Sequence, residues 1–353
     1  MKSSSSLKAV VGIAATVFFL WVALHEVKWV EVGAHLRDAN WLLLSAAVVV
    51  STLGMYIRAM RWKPLLEPVA PDVGFRPRIA GVFIGFGANN VFPARLGEFA
   101  RTWVLAREAK IPLTAAFASL VLERALDGLV MVVFLLVSMS LPAFPHIAPG
   151  GYNVQAGVRI VTAVTALMLG VLLAMAFQPR RAVAIAERIA NALLPQAFRR
   201  PVVDALHAFI AGLHVLRNPR LLAVSVAWAL FQWTFLAGSF VLAFRAFGIT
   251  EPGFLGAVFL QSVIAVAVSL PAGPGFFGPF EAASVWGLGL WGVDKSRAVS
   301  FAIGFHLGGW LTVTLGGMYY AAKLNLRWRD LGRSEETVEE AVETDLGPDA
   351  RPA

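Results

Sequence analysis

Three groups of polar residues lie within otherwise apolar sequence, and the first is Glu123, Arg124 and Asp127. Residues three and four positions apart are neighbours on a helix, so these three side chains are expected to share one face. Arg124 would lie roughly 18 Å along a membrane helix. Ionisable side chains at that depth are costly and indicate a functional site. The alternative is an Arg–Asp pair that only stabilises helix packing.

A second group, Arg95, Glu98 and Arg101, follows Pro93. Proline suits the first turn of a helix, so a new helix is expected to begin here. Its free backbone N–H groups and two arginines would suit a phosphate. Glu98 has an arginine on each side and would balance their charge when no anion is bound. The alternative is a salt-bridged hairpin in which Glu98 only complements the helix dipole.

The third group is the glycine- and proline-rich segment that ends at Glu281, in which Gly278 and Pro279 open a helix. A helix dipole alone would explain Glu281 in the first turn, but the carboxylate could also contact a cationic headgroup. His306, in the last apolar segment, is either a hydrogen-bonded core residue or part of the site. The chain has no Cys, no metal-binding His pair and no nucleotide-binding motif, so we predict no metal and no cofactor.

The composition restricts the class of protein that carries these groups. Hydrophobic residues make up 58% of the 353 residues and charged residues only 15%, against about 25% charged residues in a soluble domain. Four long stretches contain no Asp, Glu, Lys or Arg: 128–158, 221–244, 252–280 and 298–322. About 18 apolar residues can cross a bilayer. These runs exclude a soluble enzyme, a nucleic-acid-binding domain and a disulfide scaffold, and predict an all-α polytopic membrane protein.

The predicted transmembrane domain covers residues 1–329 and is followed by an acidic, disordered tail over 330–353. Lys and Arg gather in alternate loops, which by the positive-inside rule places both termini in the cytoplasm, in a cytoplasmic membrane. An amphipathic helix is expected over 202–216, lying on the membrane surface or capping the bundle. Eight spans are predicted: about 7–24, 39–57, 112–141, 160–178, 221–244, 254–270, 276–293 and 298–322.

Two segments do not fit a simple spanning helix. Residues 79–110 lie between two basic stretches, which predicts a re-entrant hairpin, 79–94 in and 95–110 back. Residues 270–281 hold too much Pro and Gly for a helix. Both segments contain P-A-x-x-G-x-F, about half the chain apart, and a count along the following helices places Arg124 opposite His306. We therefore predict a weak internal repeat, of the kind that marks a transporter's binding site.

Three motifs in order resemble the membrane domain of the lysylphosphatidylglycerol synthetase family, the flippase-like proteins related to the membrane half of MprF. They are N-x-x-P-x-R-x-G-E-x-x-R from Asn90 to Arg101, E-R-x-x-D from Glu123, and P-x-G-x-G-x-x-G-x-x-E ending at Glu281. The resemblance covers roughly residues 7–325. It implies a membrane domain that moves phospholipids between leaflets. Two departures are the lack of an aminoacyl-transferase domain in this sequence, and His306, where an Arg is expected more often.

The resemblance and the residues together predict a lipid flippase, not itself an enzyme, whose cargo is an anionic or polyprenyl-phosphate-linked lipid. Arg95, Arg101 and Arg124 would hold the phosphate, and Glu98, Asp127 and Glu281 would neutralise them in the empty site. One alternative is a membrane-embedded transferase, or its subunit, with Glu98 or Glu281 as base. Another is a scaffold for a separate cytoplasmic lipid-modifying enzyme. A homo-oligomer is left open, and no nucleic-acid partner is expected.

Overall fold

The computed structural model describes residues 2–68, 70–92, 95–145, 178–193, 218–269 and 272–327, together with positions 163, 167 and 331. This part of the chain is all-helical, as the composition predicts. Its helices are α1 (Lys2–Leu24), α2 (Trp29–Asp38), α3 (Trp41–Leu66), α4 (Phe75–Val91), α5 (Leu96–Ala109), α6 (Leu113–Ser140), α7 (Pro179–Leu193), α8 (Pro219–Ala246), α9 (Gly253–Ala267), α10 (Pro279–Gly289) and α11 (Lys295–Lys323), with a 3-10 turn at Pro274–Phe276.

Three of these helices are long and apolar enough to cross a membrane: α3, α8 and α11. The residues Gly12–Leu24 of α1 and the helix α2 form a fourth candidate if the pair, bent by 84°, is one span. Helix α6 has 28 residues, but its charged triad sets it apart from the apolar helices. Many large apolar side chains are exposed, among them Phe18, Trp21 and Phe231. Such surfaces suit lipid contact, and the chain is a multi-pass membrane protein.

Several predicted spans match helices closely, while others differ in length. The predicted spans 112–141, 221–244 and 298–322 correspond to α6, α8 and α11 within a few residues. Helix α3 continues past the predicted end at residue 57, to Leu66, because its arginines there are paired with acids on another helix. Three predicted segments lie almost wholly outside the described residues: the span 160–178, the amphipathic helix 202–216 and the tail 330–353.

The predicted spans 254–270 and 276–293 are shorter than a spanning helix. Helix α9 has 15 residues and α10 has 11, whereas a crossing needs about 20. The glycines and prolines between them break the chain, and the C-terminal end of α10 returns beside the start of α9, where Trp291 packs with Leu255 and Phe144. The pair therefore forms a short helical hairpin, in which neither helix has the length of a crossing.

Helices α4 and α5 form the other hairpin, as the sequence predicts. Gly97 packs against Gly85 so closely that an added Cβ at Gly97 would lie 1.9 Å from the Gly85 carbonyl oxygen. Each hairpin is followed by a long helix, α6 in the first half and α11 in the second. The order short helix, break, short helix, long helix thus occurs twice along the described chain.

The two hairpins enter from opposite ends of the molecule. The open end of the α4–α5 hairpin packs with the end of α3 and the starts of α6 and α8, through Leu66, Ile111 and Leu221. The open end of the α9–α10 hairpin lies at the other pole, where Asn40 N–H also donates to the Ala246 carbonyl oxygen at 2.8 Å. Repeats inserted in opposite directions place their breaks near the middle of a transporter.

Candidate functional site

The innermost part of the site is a fully paired carboxylate, Glu123 on α6. Arg101 on α5 binds it through both terminal nitrogens, with Nη1–Oε1 at 2.9 Å and Nη2–Oε2 at 2.6 Å. Arg58 on α3 donates to Glu123 Oε1 at 2.5 Å. The three side chains are at most 4% exposed. Two guanidinium groups therefore occupy this carboxylate from two helices.

Asp127, one turn along α6, is paired in the same way. Arg61 Nη1 donates to Oδ1 at 2.5 Å and Arg58 Nη1 donates to Oδ2 at 3.0 Å. Trp233 on α8 donates its indole N–H to Oδ1 at 2.8 Å. Gln232 accepts a further hydrogen bond from Arg61 at 3.1 Å. We call Arg58, Arg61, Arg101, Glu123 and Asp127 the inner cluster.

Aromatic rings enclose the inner cluster and shield it from lipid. The guanidinium carbon of Arg101 lies 3.9 Å from the centre of the Trp62 ring, and that of Arg58 lies 5.2 Å from the Phe86 ring. Cations over ring faces are stabilised by the quadrupole of the ring. The cluster therefore links α3, α5, α6 and α8 by buried, directional contacts, which explains how ionised groups persist within apolar helices.

A second set of charges, Arg95, Glu98 and Arg124, lies outside the inner cluster and is named here the outer layer. Its side chains are 36%, 22% and 33% exposed, respectively. Arg124 Nε lies 3.5 Å from Glu98 Oε2, and Arg95 Nη1 lies 3.7 Å from Glu98 Oε1. Both separations exceed a charge-assisted hydrogen bond of about 2.8 Å. Glu98 thus neutralises the two arginines only loosely.

Positive charge and hydrogen-bond donors are in excess over the whole site. Five arginines face three carboxylates, which leaves two positive charges without a counter-charge in these two sets. The Nε–H groups of all five are buried and lack a hydrogen-bond partner among the described residues. Unpaired buried donors are unfavourable, so the arrangement favours an anion or polar headgroup with several acceptor oxygens.

The break of the first hairpin contacts the break of the second. Arg95 donates from Nη2 to the Val268 carbonyl oxygen at the end of α9, and its guanidinium carbon lies 5.5 Å from the Phe276 ring. Arg95 and Phe276 both have left-handed backbones, with φ of 58° and 60°. Such strain in non-glycine residues is concentrated at functional sites. The outer layer is therefore formed where the two hairpin tips meet.

The second hairpin has its own acid–base pair. His306 on α11 places Nδ1 2.6 Å from Glu281 Oε1 and Nε2 2.9 Å from the Gly275 carbonyl oxygen. Glu281 Oε2 also accepts a hydrogen bond from Gly278 N–H at 2.6 Å. In each half of the molecule, an acid in the first turn of the hairpin's second helix meets a base on the following long helix.

The structure brings the residues singled out in the sequence into three places. Arg101, Glu123 and Asp127 lie in the inner cluster, and Arg95, Glu98 and Arg124 form the outer layer. Glu281 and His306 pair with each other at the second break. Asn90 donates to the Trp310 carbonyl oxygen at 3.2 Å and to Thr314 Oγ1 at 2.9 Å, which joins α4 to α11. Arg101 is engaged by Glu123 and so has no free face for a phosphate.

Four residues that form or contact the inner cluster were not predicted as site residues from the sequence: Arg58, Arg61, Gln232 and Trp233. The two arginines follow an apolar run, and a basic cluster there resembles a cytoplasmic loop. One signal could have identified them. Glu123 and Asp127 are four residues apart and need cations in an apolar environment, and Arg58 and Arg61, three residues apart, present a matching pair on a continued helix.

A sequence profile described as the lysylphosphatidylglycerol synthase TM region matches residues 9–317. The chain belongs to this family. The match covers both hairpins and every residue of the two charge sets. The resemblance inferred from the three motifs is thereby confirmed.

The curated relatives of this chain carry two kinds of name. Glycosyltransferase AglD of Haloferax volcanii is 26% identical over 90% of this chain and 54% of its own length. A UPF0104 membrane protein of Methanothermobacter thermautotrophicus is 26% identical over 36% of this chain and 37% of its own, and one of Pyrococcus horikoshii is 29% identical over 37% and 39%. The chain thus spans about half of AglD and less of the others. No solved structure matches.

Proposed function

We propose that this protein translocates a lipid with an anionic phosphate headgroup between membrane leaflets, and that Arg95 and Arg124 bind the phosphate. The observation that carries the proposal is the outer layer. Two partly exposed arginines share one acid, Glu98, at 3.5 and 3.7 Å, at the meeting point of two hairpin tips. Family membership supports a lipid-related role.

Phosphate is the ligand that this geometry suits best. A guanidinium group presents a planar fork of N–H donors that matches the oxygens of a phosphate. The buried Nε–H groups of Arg95 and Arg124 have no acceptor among the described residues. A phosphate oxygen at that point would supply one and would also offset the surplus positive charge.

Glu98 has a defined part in this scheme as the internal counter-ion. When the site is empty, its carboxylate partly offsets Arg95 and Arg124. When a phosphate binds, the two anions compete for the same cations, so Glu98 weakens binding enough for release. Its lack of a hydrogen bond to either arginine leaves the carboxylate free to move aside.

Only the headgroup needs a polar path in this mechanism. The acyl or polyprenyl chains remain in the bilayer, beside the exposed apolar faces of the helices, while the phosphate passes along the outer layer. The inner cluster keeps α3, α5, α6 and α8 together during this movement, because its acids are already saturated by Arg58, Arg61 and Arg101.

Transport by purified protein in liposomes tests the proposal. Fluorescent phosphatidylglycerol in the inner leaflet would be followed by its arrival at a quencher in the outer leaflet. We expect Arg124→Gln to reduce the rate about tenfold, the scale of losing one charged hydrogen-bond contact of about 1.4 kcal/mol. Arg107→Gln is the matched control, since Arg107 lies on α5, is 49% exposed and pairs only with Glu108 in the described chain.

The result that would overturn the proposal is equally specific. A monodisperse Arg124→Gln protein that moves phosphatidylglycerol at the wild-type rate would show that the outer layer does not act on the headgroup. Equal loss in Arg107→Gln would point to a general effect of surface charge instead.

One relative's name supports a second candidate, a subunit that acts on lipid-linked sugars. The similarity to glycosyltransferase AglD extends over 90% of this chain. A base would have to be reachable from water, and Glu281, at 4% exposure and bound to His306, is enclosed. Glu98 is the more accessible acid. Turnover of a polyprenyl-phosphate sugar in detergent, lost in Glu98→Gln, would favour this candidate over translocation.

A further inference from the structure

We infer that His306 and Glu281 hold one exchangeable proton, and that phosphate binding at the outer layer is linked to that proton. The inference rests on the proposed function for its ligand. It adds a proton-binding site in the second hairpin, where the family resemblance gives no such role.

The argument starts from the two acceptors that face the imidazole. Nδ1 lies 2.6 Å from a carboxylate oxygen and Nε2 lies 2.9 Å from a backbone carbonyl oxygen. A neutral imidazole has one N–H and can satisfy only one of these contacts as donor. The other contact requires a second proton, either on the imidazole or on the carboxyl group. Both contacts are hydrogen bonds only when the pair carries one proton more than a neutral His beside an ionised Glu.

The surroundings stabilise this protonated pair. The ring of Phe280 stacks on His306 with centres 4.1 Å apart, and the ring of Phe277 lies at 4.7 Å. Aromatic faces favour a cation. Gly278 N–H holds the second oxygen of Glu281 at 2.6 Å, which fixes the carboxyl group in place. At 11% exposure, His306 retains some access for proton exchange.

No other charged group replaces Glu281 as the partner of His306. Glu281 is the one charged residue of α10, and it makes the one ion pair of His306 among the described residues. On helices packed against α11, Glu31 pairs with Lys28 and Arg78 is bound by backbone carbonyls. The remaining ionisable side chains on α2, α3, α4, α8 and α11 itself are His35, Arg37, Asp38, Tyr56, Arg58, Arg61, Lys63, Arg76, Arg220, Arg245, Lys295, Arg297, Tyr319, Tyr320 and Lys323.

A short path connects the pair to the outer layer. His306 binds the carbonyl of Gly275, and the next residue, Phe276, lies against the guanidinium group of Arg95. Both Gly275 and Phe276 have positive φ angles, 70° and 60°. A strained turn held by a few contacts is suited to change when one contact is lost. The proton therefore controls a turn that touches a phosphate-binding arginine.

The direction of the linkage follows from charge. Loss of the proton leaves the imidazole with one N–H, which the ionised Glu281 carboxylate retains at Nδ1, so the Nε2 contact to the Gly275 carbonyl oxygen loses its hydrogen and one negative charge is added near the Arg95 contact. Both changes oppose binding of a second anion. Phosphate affinity should therefore be lower when the pair has lost its proton, and phosphate binding should favour proton uptake by the same factor.

The experiment uses the full chain in lipid nanodiscs with fluorescent phosphatidylglycerol as probe. A phosphodiester keeps one charge over the pH range, unlike a monoester, which titrates near about pH 6. We expect wild-type affinity to fall about tenfold between low and high pH, the order expected for one added charge on a neighbouring turn. If the protein binds phosphatidylglycerol with the same affinity at every pH, the linkage is overturned and the proposed function stands.

Three variants separate the pair from other titrating groups. Glu281→Gln can donate to Nδ1 and accept from Gly278 N–H but lacks the carboxylate that shares the proton, so its affinity should not follow the wild-type pH dependence. Glu98→Gln should keep the wild-type slope, since the acid of the outer layer is not the source. His25→Gln, which alters an exposed His–Glu pair with atoms 3.9 Å apart, should also keep it. A Glu281→Gln protein whose phosphatidylglycerol affinity depends on pH as in wild type would contradict the assignment.

Nitrogen NMR of histidine-labelled protein gives a readout that needs no lipid. His306→Gln identifies the signal, whose pH dependence in Glu281→Gln should differ from that of wild type, because the variant keeps the imidazole but lacks the carboxylate. A His306 signal that is constant over the same pH range overturns the shared exchangeable proton. A signal that titrates in protein that binds no phosphatidylglycerol at any pH overturns the proposed function, and the linkage with it, but not the proton site.

Discussion

Charged residues of this protein differ in whether their partners are built into the fold. Glu123 and Asp127 contact three arginines at 2.5 to 3.0 Å within a buried cluster. Arg95 has Glu98 at 3.7 Å and the Val268 carbonyl oxygen, whereas Arg124 has Glu98 at 3.5 Å and Asp127 at 3.8 Å. Residues adjacent in sequence, such as Glu123 and Arg124, can therefore have unlike roles, one in the stability of the bundle and the other in binding.

Glu123→Gln tests the structural role of the inner cluster. The change leaves Arg58 and Arg101 buried without their charged partner, which should lower the free energy of unfolding by about 3–5 kcal/mol. Thermal unfolding in detergent would measure this loss. Arg124→Gln, at a partly exposed pair, should cost about 1 kcal/mol or less. Equal destabilisation by both changes would show that the two charge sets are not distinct.

Glu98→Gln tests the internal counter-ion. Removing the acid of the outer layer leaves Arg95 without an ion-pair partner among the described residues and Arg124 with only Asp127, at 3.8 Å, so a phosphatidylglycerol headgroup should bind more tightly. Because the side chains are partly exposed, solvent screens the effect, and we expect a gain of several-fold. A binding titration with labelled lipid measures it. Weaker binding in the variant would mean that Glu98 contacts the lipid itself.

At the scale of elements, the close packing of α4 on α5 fixes where the outer layer lies. A Cβ added at Gly97 would also lie 2.7 Å from the Asn89 side-chain oxygen, which accepts a hydrogen bond from Gly97 N–H at 2.9 Å. Only a glycine permits this approach of two backbones. The first turn of α5, which carries Glu98, is thereby held against α4.

Gly97→Ala should separate the two helices and displace the first turn of α5. Overpacking typically costs about 1–3 kcal/mol, and we expect a lower unfolding temperature together with slower lipid transport. Gly128→Ala on α6 is the matched control, since nothing lies within 4 Å of its added Cβ, and alanine favours a helix over glycine. Unchanged stability in Gly97→Ala would show that the hairpin can open without loss.

Helices and breaks were predicted well where the local sequence alone determines them. Apolar runs located α6, α8 and α11, and the repeated prolines and glycines located both breaks. The extension of α3 to Leu66 was not predicted, because the partners of Arg58 and Arg61 lie on α6 and α8, far along the chain, and only the matching spacings of the two arginines and the two acids indicate it. The pairing of His306 with Glu281 likewise depends on how the second hairpin folds back against α11, which no local spacing records.

The whole molecule has two poles that differ in charge. Around the open end of the α4–α5 hairpin lie the ends of α3, α5 and α11 and the start of α8, and this pole carries eight basic side chains: Lys63, Arg76, Arg78, Arg107, Lys110, Arg220, Lys323 and Arg327. At the other pole, Lys295 donates to the His25 carbonyl oxygen. There the basic residues are matched by acids such as Glu26, Glu31, Glu251 and Asp294.

This asymmetry predicts the orientation in the membrane, since excess Lys and Arg remain on the cytoplasmic side. The natural chain has no cysteine, so single cysteines can report on each pole without background. Glu67→Cys and Lys110→Cys should react with a membrane-impermeant thiol reagent only from the cytoplasmic side. Glu26→Cys and Thr250→Cys, also exposed, should react only from the opposite side, while a permeant reagent labels all four.

Labelling also distinguishes inverted hairpins from ordinary crossings. If α9 and α10 were two full spans, the break between them would lie at the cytoplasmic surface, and Phe276→Cys would react as fast as Lys110→Cys. In the hairpin, Phe276 lies against Arg95 at the meeting point of the two tips. Phe276→Cys should therefore react slowly, and phosphatidylglycerol bound at the outer layer should slow it further. Fast reaction that lipid does not alter would contradict a shared central site.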